Sequence, residues 1–351
     1  MTFQLFAIPF IISFLLSCAI TYLTIKLYTG LNILDSSHKK DHPKHIHERP
    51  TPRGGGIPIF IAMLFAPLLS GQTDVHMVAV LSGALIILVA GVLDDMLNVS
   101  PYVRLFLGLL ASTIVVSSGL FITFVSNPFG DGVIVLTDLV ARGVAILWIT
   151  WCMNFVNMGA KGLDGQLPGV VIIAAIVMGI LSYRFVNDVT AWSSTIMAFS
   201  LAGAYGGLLV FNAYPQKIMP GWGGGALAGY YLAVLSMLSG AKVATALIVL
   251  GIPLMDVVYA IGRRILEGKS PVWGDDKHLH HKLLRLGWSK RTIAFLYWVV
   301  TALLGCLALN LNSAYKAYTI VLTGVVVGGV LLWINLFLSR KRHESRSGSR
   351  M

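Results

Sequence analysis

The sequence predicts an all-α, polytopic membrane protein, and three observations support that fold class. Hydrophobic residues make up 56% of the 351 residues and charged residues only 12%, about half the charged fraction of a typical soluble domain. The mean hydropathy is +0.79. Apolar runs of the length that a membrane-spanning helix needs, about 20 residues, recur along the whole chain.

Eleven segments are predicted to cross the membrane. In chain order they are residues 3–27, 56–70, 77–93, 101–123, 138–153, 167–184, 192–212, 223–239, 241–264, 292–311 and 316–338. The first has neither a basic region before it nor a small-residue cleavage site, so it is predicted to be a retained helix and not a signal peptide. Residues 1–339 are predicted to form a single integral-membrane domain, and residues 340–351 a basic tail.

The net charge of +11 is distributed unevenly between the two sides of this domain. With eleven spans, all but four of the 26 Lys and Arg residues fall on one side, the exceptions being Arg142, Arg184, Lys242 and Lys316. The positive-inside rule makes that side cytoplasmic, with the N-terminus outside and the tail inside. We expect a multi-pass protein of the inner (plasma) membrane whose positive charge faces membrane lipid headgroups, with no nucleic acid partner.

Five polar stretches fall on the predicted cytoplasmic side: residues 35–56, 94–100, 154–166, 212–225 and 265–291. Loops that share one face can build one site at the membrane surface. This pattern predicts an enzyme that acts on a cytosolic substrate and a lipid headgroup. A polytopic transporter is the less favoured alternative, because its polar positions are expected near the middle of the membrane.

Two adjacent carboxylates, Asp94 and Asp95, end the third predicted span. A carboxylate at the centre of a membrane helix costs about 2.5–3.5 kcal/mol, so both are predicted at a helix end. Adjacent carboxylates repel each other unless a cation lies beside them. Mg²⁺ suits such a place because it takes one or two carboxylates together with substrate phosphates. A solvated helix end with ordinary acidic residues is the alternative.

The stretch "GDDKHLHHKLLRLG", residues 274–287, concentrates acidic residues and histidines. Asp275, Asp276, His278, His280 and His281 lie within seven residues of one another. Histidine side chains in this density can donate hydrogen bonds to a diphosphate. A zinc site is the competing interpretation, since histidine is a common zinc ligand.

The stretch "NFVNMGAKGLDGQLPG", residues 154–169, offers Asn154, Asn157, Lys161 and Asp164 among glycines. Glycine allows backbone N–H groups to approach a ligand closely, so a binding loop is predicted. A glycine-rich turn between helices, without a ligand, is the alternative.

Two other positions carry a functional hypothesis. Arg53 precedes the second span in "HERPTPRGGGIP" and could hold a phosphate together with backbone amides. The glycines that follow it could equally serve close helix packing. Asp256 lies inside an apolar segment, where an acid suggests function, although a hydrogen bond between helices explains it nearly as well.

The motifs together resemble a known family, the polyprenyl-phosphate N-acetylhexosamine-1-phosphate transferases. In order, they are "PTPRGGG", "LDD", "NFVNM", "GLDG", "FNAYPQKI", "PLMD" and "GDDKHLHH". The resemblance covers nearly the whole chain and implies transfer of a sugar-1-phosphate from a UDP-amino sugar to undecaprenyl phosphate, with release of UMP. It implies Mg²⁺ as the cofactor, with Mn²⁺ as an alternative. A homodimer is left open.

The resemblance also implies roles for individual residues. Asp94 and Asp95 are expected to serve the lipid phosphate and the metal, one of them as a base. Asp164 with Asn157 is expected to hold the nucleotide, and the three histidines the diphosphate. The catalytic and metal-binding set is therefore Asp94, Asp95 and Asp164, and the substrate-binding set is Arg53, Asn154, Asn157, Lys161, His278, His280 and His281.

Two motifs depart from the family pattern. Where the family has a magnesium-binding aspartate after "FNAYPQKI", this chain has Trp222, and Gly225 replaces the serine that follows. In the "GLDG" loop the first of two family aspartates is replaced by Lys161. A diverged but active transferase is the favoured hypothesis, and a catalytically silent relative that binds nucleotide-sugar or lipid phosphate is the alternative.

Overall fold

The computed structural model of the chain describes residues 2–35, 50–65, 69, 74–127, 132–184, 190–238, 243–270 and 277–348. The helices in these residues are α1 Thr2–Gly30, α2 Gly56–Leu64, α3 Val75–Leu97, α4 Pro101–Ser117, α5 Asp138–Gly159, α6 Gln166–Tyr183, α7 Thr190–Asn212, α8 Gly221–Met237, α9 Val243–Val249, α10 Gly251–Leu266, α11 Leu279–Arg285, α12 Lys290–Asn310 and α13 Ser313–Gly348. Two short antiparallel strand pairs accompany them, β1 Leu34–Asp35 with β2 Thr51–Pro52 and β3 Phe124–Ser126 with β4 Val133–Val135.

The prediction of an all-α polytopic membrane protein is confirmed. Seven helices in the described part of the chain, α1, α3, α5, α6, α7, α12 and α13, are long and apolar enough to cross a membrane. The pair α9 and α10 makes an eighth if it is counted as one span. Helices α2, α4 and α8 have 9, 17 and 17 residues, so they fall short of the usual length of about 20. The number of eleven spans stays a prediction.

The predicted span 241–264 is wrong as one continuous helix. The chain breaks between α9 and α10, and the two helices meet at 79°. The break falls at Leu250 and Gly251, just before Pro253. Proline has no N–H to donate to the preceding turn and its ring collides with that turn, which explains why the helix cannot run straight through.

Other helix limits differ from the predicted ones. Helix α4 ends at Ser117 and not near residue 123, because Gly119 turns the chain with a φ of 101°. Helix α5 extends to Gly159. Helix α13 continues to Gly348 through most of the predicted basic tail, whose Lys, Arg and Glu residues are good helix formers.

A tight connection joins α3 to α4. Asn98 ends α3 in the left-handed conformation, with a φ of 51°, and Pro101 begins α4 at a position where its missing N–H costs nothing. This turn leaves Asp94 and Asp95 in the last turn of α3 and Arg104 in the first turn of α4. The prediction that both aspartates lie at a helix end is confirmed.

Helix α8 lies at the centre of the helix bundle. Every residue from Gly221 to Ser236 is buried, as expected of a helix that is apolar on all sides. Two buried hydroxyl groups fix it to its neighbours: Tyr230 Oη donates to the carbonyl of Val80 at 2.7 Å, and Tyr205 Oη donates to the carbonyl of Gly224 at 2.6 Å. The first residues of α8 are therefore held in a fixed position among the surrounding loops.

Candidate active site

The predicted polar segments meet around the beginning of α8. Arg53 Nη1 donates to Asn98 Oδ1 at 3.2 Å, which joins the segment before α2 to the end of α3. Lys161 Nζ donates to the carbonyl of Gly221 at 3.0 Å, which joins the loop between α5 and α6 to α8. The ring of His280 lies against Gly162 in the same loop. The structure thus brings loops from distant parts of the chain into one site.

Asp94 is held by a cation that sequence reasoning missed. Arg104 Nη1 lies 3.1 Å from both carboxylate oxygens of Asp94. The guanidinium carbon of Arg104 also lies 5.8 Å from the ring centroid of Trp222, within the range of a cation–π interaction. Arg104 therefore lies between the carboxylate of α3 and the aromatic ring at the start of α8. The sequence did contain a signal for this role, because Arg104 is a single cation near the start of an otherwise apolar predicted span.

Asp95 is half-buried beside the first residue of α8. Its Oδ1 atom is inaccessible to solvent and has no hydrogen-bond partner among the described residues. Gly221 has a φ of 64°, and a Cβ atom there would lie 2.8 Å from Asp95 Oδ1. Only glycine both adopts this conformation readily and leaves room for the carboxylate. Asp95 consequently offers an acceptor oxygen next to the start of α8.

Lys161 is partly buried within this acidic and basic cluster. Its hydrogen bond goes to a neutral carbonyl group, that of Gly221. Burial lowers the pKa of Lys161 to about 8, and the positive charges of Arg104 and Arg53 act in the same direction, whereas Asp94 and Asp95 act against it. Lys161 therefore interacts electrostatically with both carboxylates of the "LDD" motif.

Arg53 is positioned by the β1–β2 pair. In this pair Asp35 is opposite Thr51, and Arg53 Nη2 lies 3.0 Å from Asp35 Oδ1. Its second contact is the amide oxygen of Asn98. Asp35 was not predicted as part of the site, because in the sequence it is an ordinary acidic residue after the first span. Only the pairing of β1 with β2 brings it next to Arg53.

Asp164 is held at one oxygen and has no partner at the other. Its Oδ2 atom accepts a hydrogen bond from the backbone N–H of Gln216 at 3.2 Å, whereas Oδ1 has no partner in the described residues. Asn212, which sequence reasoning also missed, accepts from Gly165 N–H and donates to the carbonyl of Ile218. This buried amide fixes the two loops that hold Asp164. Its signal was its place in the "FNAYPQKI" motif.

The two predicted asparagines lie within α5 and not in the loop that follows. Asn154 Nδ2 donates to the carbonyl of Thr150, one turn earlier in its own helix. Asn157 Oδ1 has no partner in the described part of the chain and faces Gly225, where any Cβ atom would collide with it. The space that a side chain at residue 225 would need is therefore filled by Asn157.

The histidine segment is anchored by Asp256. His278 Nδ1 lies 2.8 Å from Asp256 Oδ2, and the backbone N–H of Leu279 donates to Asp256 Oδ1 at 2.8 Å. Asp256 is fully buried, and both of its oxygens are satisfied. Asp256 was interpreted either as a functional acid or as a partner in a hydrogen bond between helices. Its contacts agree with the second interpretation, a hydrogen bond that joins two segments. Asp275 and Asp276 lie outside the described residues.

The three histidines lie side by side. The rings of His278 and His280 are parallel with centroids 5.8 Å apart, and His281 lies 4.3 Å from His280. Burial lowers the pKa of His280 well below its usual value, and His281 and His278 act in the same direction. His280 is therefore a neutral ring at pH 7, with one nitrogen able to donate a hydrogen bond.

The metal ligands available around the start of α8 only partly suit the predicted magnesium ion. Asp95 Oδ1 and Asp164 Oδ1 are oxygen atoms without a hydrogen-bond partner in the described residues. The charge of Asp94, however, is neutralised by Arg104, and Trp222 offers no oxygen ligand. Within the described residues no three His, Cys, Asp or Glu side chains form a group that could hold a metal ion. The ammonium of Lys161 also opposes the binding of a second cation nearby. Magnesium, manganese and the zinc alternative all stay predictions.

Comparisons with known proteins agree with this arrangement of motifs. The family model for glycosyl transferase family 4 matches residues 77–240. The chain is 32% identical over 322 residues to a probable undecaprenyl-phosphate N-acetylglucosaminyl 1-phosphate transferase of Bacillus subtilis, which covers 88% of this chain and 85% of the relative.

Two further relatives have related names. A decaprenyl-phosphate N-acetylglucosaminephosphotransferase of Mycobacterium tuberculosis is 28% identical over 329 residues, 84% of this chain and 80% of the relative. An undecaprenyl-phosphate alpha-N-acetylglucosaminyl 1-phosphate transferase of Yersinia pestis is 29% identical over 305 residues, 83% of this chain and 80% of the relative. The extent of these matches shows that the chain belongs to glycosyl transferase family 4.

Proposed function

We propose that this protein transfers N-acetylglucosamine-1-phosphate from UDP-N-acetylglucosamine to undecaprenyl phosphate, as the first lipid-linked step of envelope glycan synthesis. The observation that carries the proposal is the meeting of three motifs, Asp94–Asp95, Lys161–Asp164 and His278–His281, around the first residues of α8. The names of the relatives support the choice of sugar and of a polyprenyl phosphate acceptor.

The reaction is a phosphoryl transfer between two anions. An oxygen of the lipid phosphate attacks the phosphorus that bears the sugar, and the bond from that phosphorus to the UMP oxygen breaks. The products are a lipid diphosphate sugar and UMP. Because little covalent chemistry falls to the protein, positioning and neutralisation of charge are expected to dominate catalysis.

The aspartate side of the site is proposed to receive the lipid phosphate. Arg104, fixed between Asp94 and the Trp222 ring, provides a positive charge at the end of α3. Asp95 Oδ1 is the acceptor for the proton that the lipid phosphate loses when it attacks. Arg53 adds a second guanidinium at the same edge of the site.

The other side is proposed to receive the sugar nucleotide. Asp164 Oδ1 and Asn157 Oδ1 are acceptors for the N–H and O–H groups of the nucleotide. His280 contacts Gly162 in the loop that carries Lys161, and together with His278 and His281 it is proposed to bind the diphosphate. The Asn154 side chain bonds within its own helix, so we assign it to support of the site and not to direct contact.

The location of the site follows from its substrates and from the charge distribution. We propose that the end of the bundle that holds the site faces the cytoplasm, because the site residues belong to the side on which the predicted spans place all but four of the 26 Lys and Arg residues. The membrane is proposed to be the inner (plasma) membrane. The lipid acceptor would then approach from the bilayer and the UDP-sugar from solution.

UMP release by the full-length protein tests the proposal. The purified chain in detergent would be mixed with undecaprenyl phosphate, MgCl₂ and, in separate reactions, the UDP derivatives of N-acetylglucosamine, N-acetylgalactosamine and glucose. His280→Ala would be compared with Lys269→Ala, which removes a charge from an exposed residue paired with Glu267 on the same side. We expect release with UDP-N-acetylglucosamine, loss in His280→Ala, and no change in Lys269→Ala.

A silent relative that binds nucleotide-sugar without turnover is the second candidate. The residue that favours it is Trp222, an aromatic ring at the position where the resemblance implies a metal-binding carboxylate. Binding of UDP-N-acetylglucosamine without UMP release from any of the sugars would support this second function and contradict the first.

A further inference from the structure

Lys161 differs from the other two cations of the site in what it binds. Arg53 forms an ion pair with Asp35, and Arg104 forms one with Asp94. Lys161, in contrast, donates a hydrogen bond to the neutral carbonyl of Gly221. Of these three, Lys161 is thus the cation whose charge is not matched by a hydrogen-bonded carboxylate.

The position of Lys161 places it between the two halves of the site. On one side are Asp94 and Asp95, close enough to act on its charge. On the other side the next residue, Gly162, contacts the ring of His280. A group bound at Lys161 would therefore lie between the carboxylates of α3 and the histidine segment. In the proposed reaction, the lipid phosphate and the diphosphate of the sugar nucleotide come together there.

In a metal-dependent site, a divalent cation would occupy this position between the carboxylates and the histidine segment. Mg²⁺ would supply two positive charges and needs oxygen ligands at about 2.0–2.1 Å. In this chain the Lys161 ammonium is close enough to Asp94 and Asp95 to interact with their charges, and the neighbouring Trp222 ring, 5.8 Å from the guanidinium carbon of Arg104, provides no ligand. Lys161 and Trp222 are therefore compatible with each other. Trp222 cannot bind a metal cation, and the ammonium of Lys161 supplies a positive charge in its place.

We propose that Lys161 binds the diphosphate of the sugar nucleotide directly, and that the site holds this substrate without a divalent metal ion. The proposal rests on the proposed function, because it assumes a UDP-sugar substrate. A lysine ammonium is a compact point charge with three donors, which suits a phosphate group approached from several directions.

Equilibrium binding to the full-length protein in detergent tests the proposal. UDP-N-acetylglucosamine and UMP would be titrated by calorimetry in EDTA and again in MgCl₂. We expect the dissociation constant of UDP-N-acetylglucosamine to agree within about twofold between the two conditions. Lys161→Ala should weaken this binding about 10- to 100-fold, as expected for loss of a hydrogen bond to a charged group, and should affect UMP less.

Three variants complete the design. Lys269→Ala is the matched control for loss of a lysine charge, and its affinity should equal that of the wild type. The double variant Lys161→Asp, Trp222→Asp should bind UDP-N-acetylglucosamine only in MgCl₂. Thermal unfolding of each variant verifies that it is folded, and Lys161→Arg, which retains the charge, should bind more tightly than Lys161→Ala.

The outcomes separate this proposal from the proposed function. Wild-type binding that requires MgCl₂, or a Lys161→Ala variant that binds like the wild type, overturns the role of Lys161 and leaves the transferase activity intact. Absence of UDP-N-acetylglucosamine binding in both conditions, together with absence of UMP release, overturns both.

Discussion

Two aspartates at the same end of the bundle, the fully buried Asp256 and the half-buried Asp95, have opposite surroundings. Both oxygens of Asp256 are satisfied, by His278 and by the backbone of Leu279, and no part of its side chain is exposed. Asp95 has an inaccessible oxygen without a partner in the described residues, next to the start of α8. Since a buried polar group without a partner is costly, Asp95 is the one whose surroundings indicate a ligand. Asp256 is instead a structural support for the histidines.

The largest expected effect is on the rate of Asp95→Asn. If Asp95 accepts the proton of the lipid phosphate, this change should lower kcat for UMP release by about 10²- to 10⁴-fold, the usual contribution of a general base. The temperature of thermal unfolding should not fall. Asp138→Asn, in an exposed ion pair with Arg142, is the control for the same chemical change. A loss of less than tenfold would contradict the role of Asp95.

Asp256→Ala should instead act on stability. Removing the carboxylate leaves its two buried partners, His278 Nδ1 and the Leu279 N–H, without a hydrogen bond, at a cost of about 1–3 kcal/mol each, so the temperature of thermal unfolding should fall clearly. UDP-N-acetylglucosamine binding should weaken as well, because the histidine segment loses its anchor. The double variant with His278→Ala should be less destabilised than the two single effects added together. Unchanged thermal unfolding of Asp256→Ala would show that the pair is not a support.

The pH dependence of substrate affinity should report Lys161. Its pKa of about 8 results from burial and from Arg104 and Arg53, against the opposing effect of Asp94 and Asp95. An anionic ligand binds the protonated form, so affinity should be constant below about pH 7 and fall as the pH rises through 8, by up to about tenfold per unit. Titrations of UDP-N-acetylglucosamine from pH 6.5 to 9.5 measure this.

Lys161→Arg is the control for this titration. The arginine side chain stays protonated across this range, so affinity in this variant should not fall between pH 8 and 9. An equal decline in the wild type and in Lys161→Arg would assign the effect to another group.

The smallest expected effect concerns the ring of Trp222. A cation–π interaction is worth about 0.5–2 kcal/mol, so Trp222→Leu should lower kcat/KM for UMP release several-fold by loosening Arg104. Trp222→Phe keeps an aromatic face and should retain most of the activity. Equal kcat/KM values for the two variants would show that the ring only fills space.

Much of the architecture was predictable from local features. Apolar runs identified the helices, and the cost of a carboxylate in the membrane placed Asp94 and Asp95 correctly at a helix end. The break between α9 and α10 was missed because hydropathy is continuous through Gly251 and Pro253, although the proline itself signalled it.

The partners within the site could not be predicted in the same way. Arg104, Asn212 and Asp35 become part of the site through contacts between segments that are far apart in the sequence or separated by a turn. The sequence assigned Asp95 to the catalytic set and left a hydrogen bond between helices open for Asp256, but it could not show which of their oxygen atoms lack a partner. That distinction depends on which oxygen atoms find donors after the helices have packed.

The beginning of α8 restricts how this site can diverge. A side chain at Gly221 would meet Asp95, and one at Gly225 would collide with Asn157. A Cβ atom at Gly223 or Gly224 would be less crowded but still tight, 3.2 Å from Gly91 Cα and from Pro220 Cβ respectively. Residue 222 is therefore the position in this turn where evolution, or an engineer, can exchange one chemical group for another without moving a helix. A substitution at this one residue can thus change which chemical group the start of α8 presents to the site.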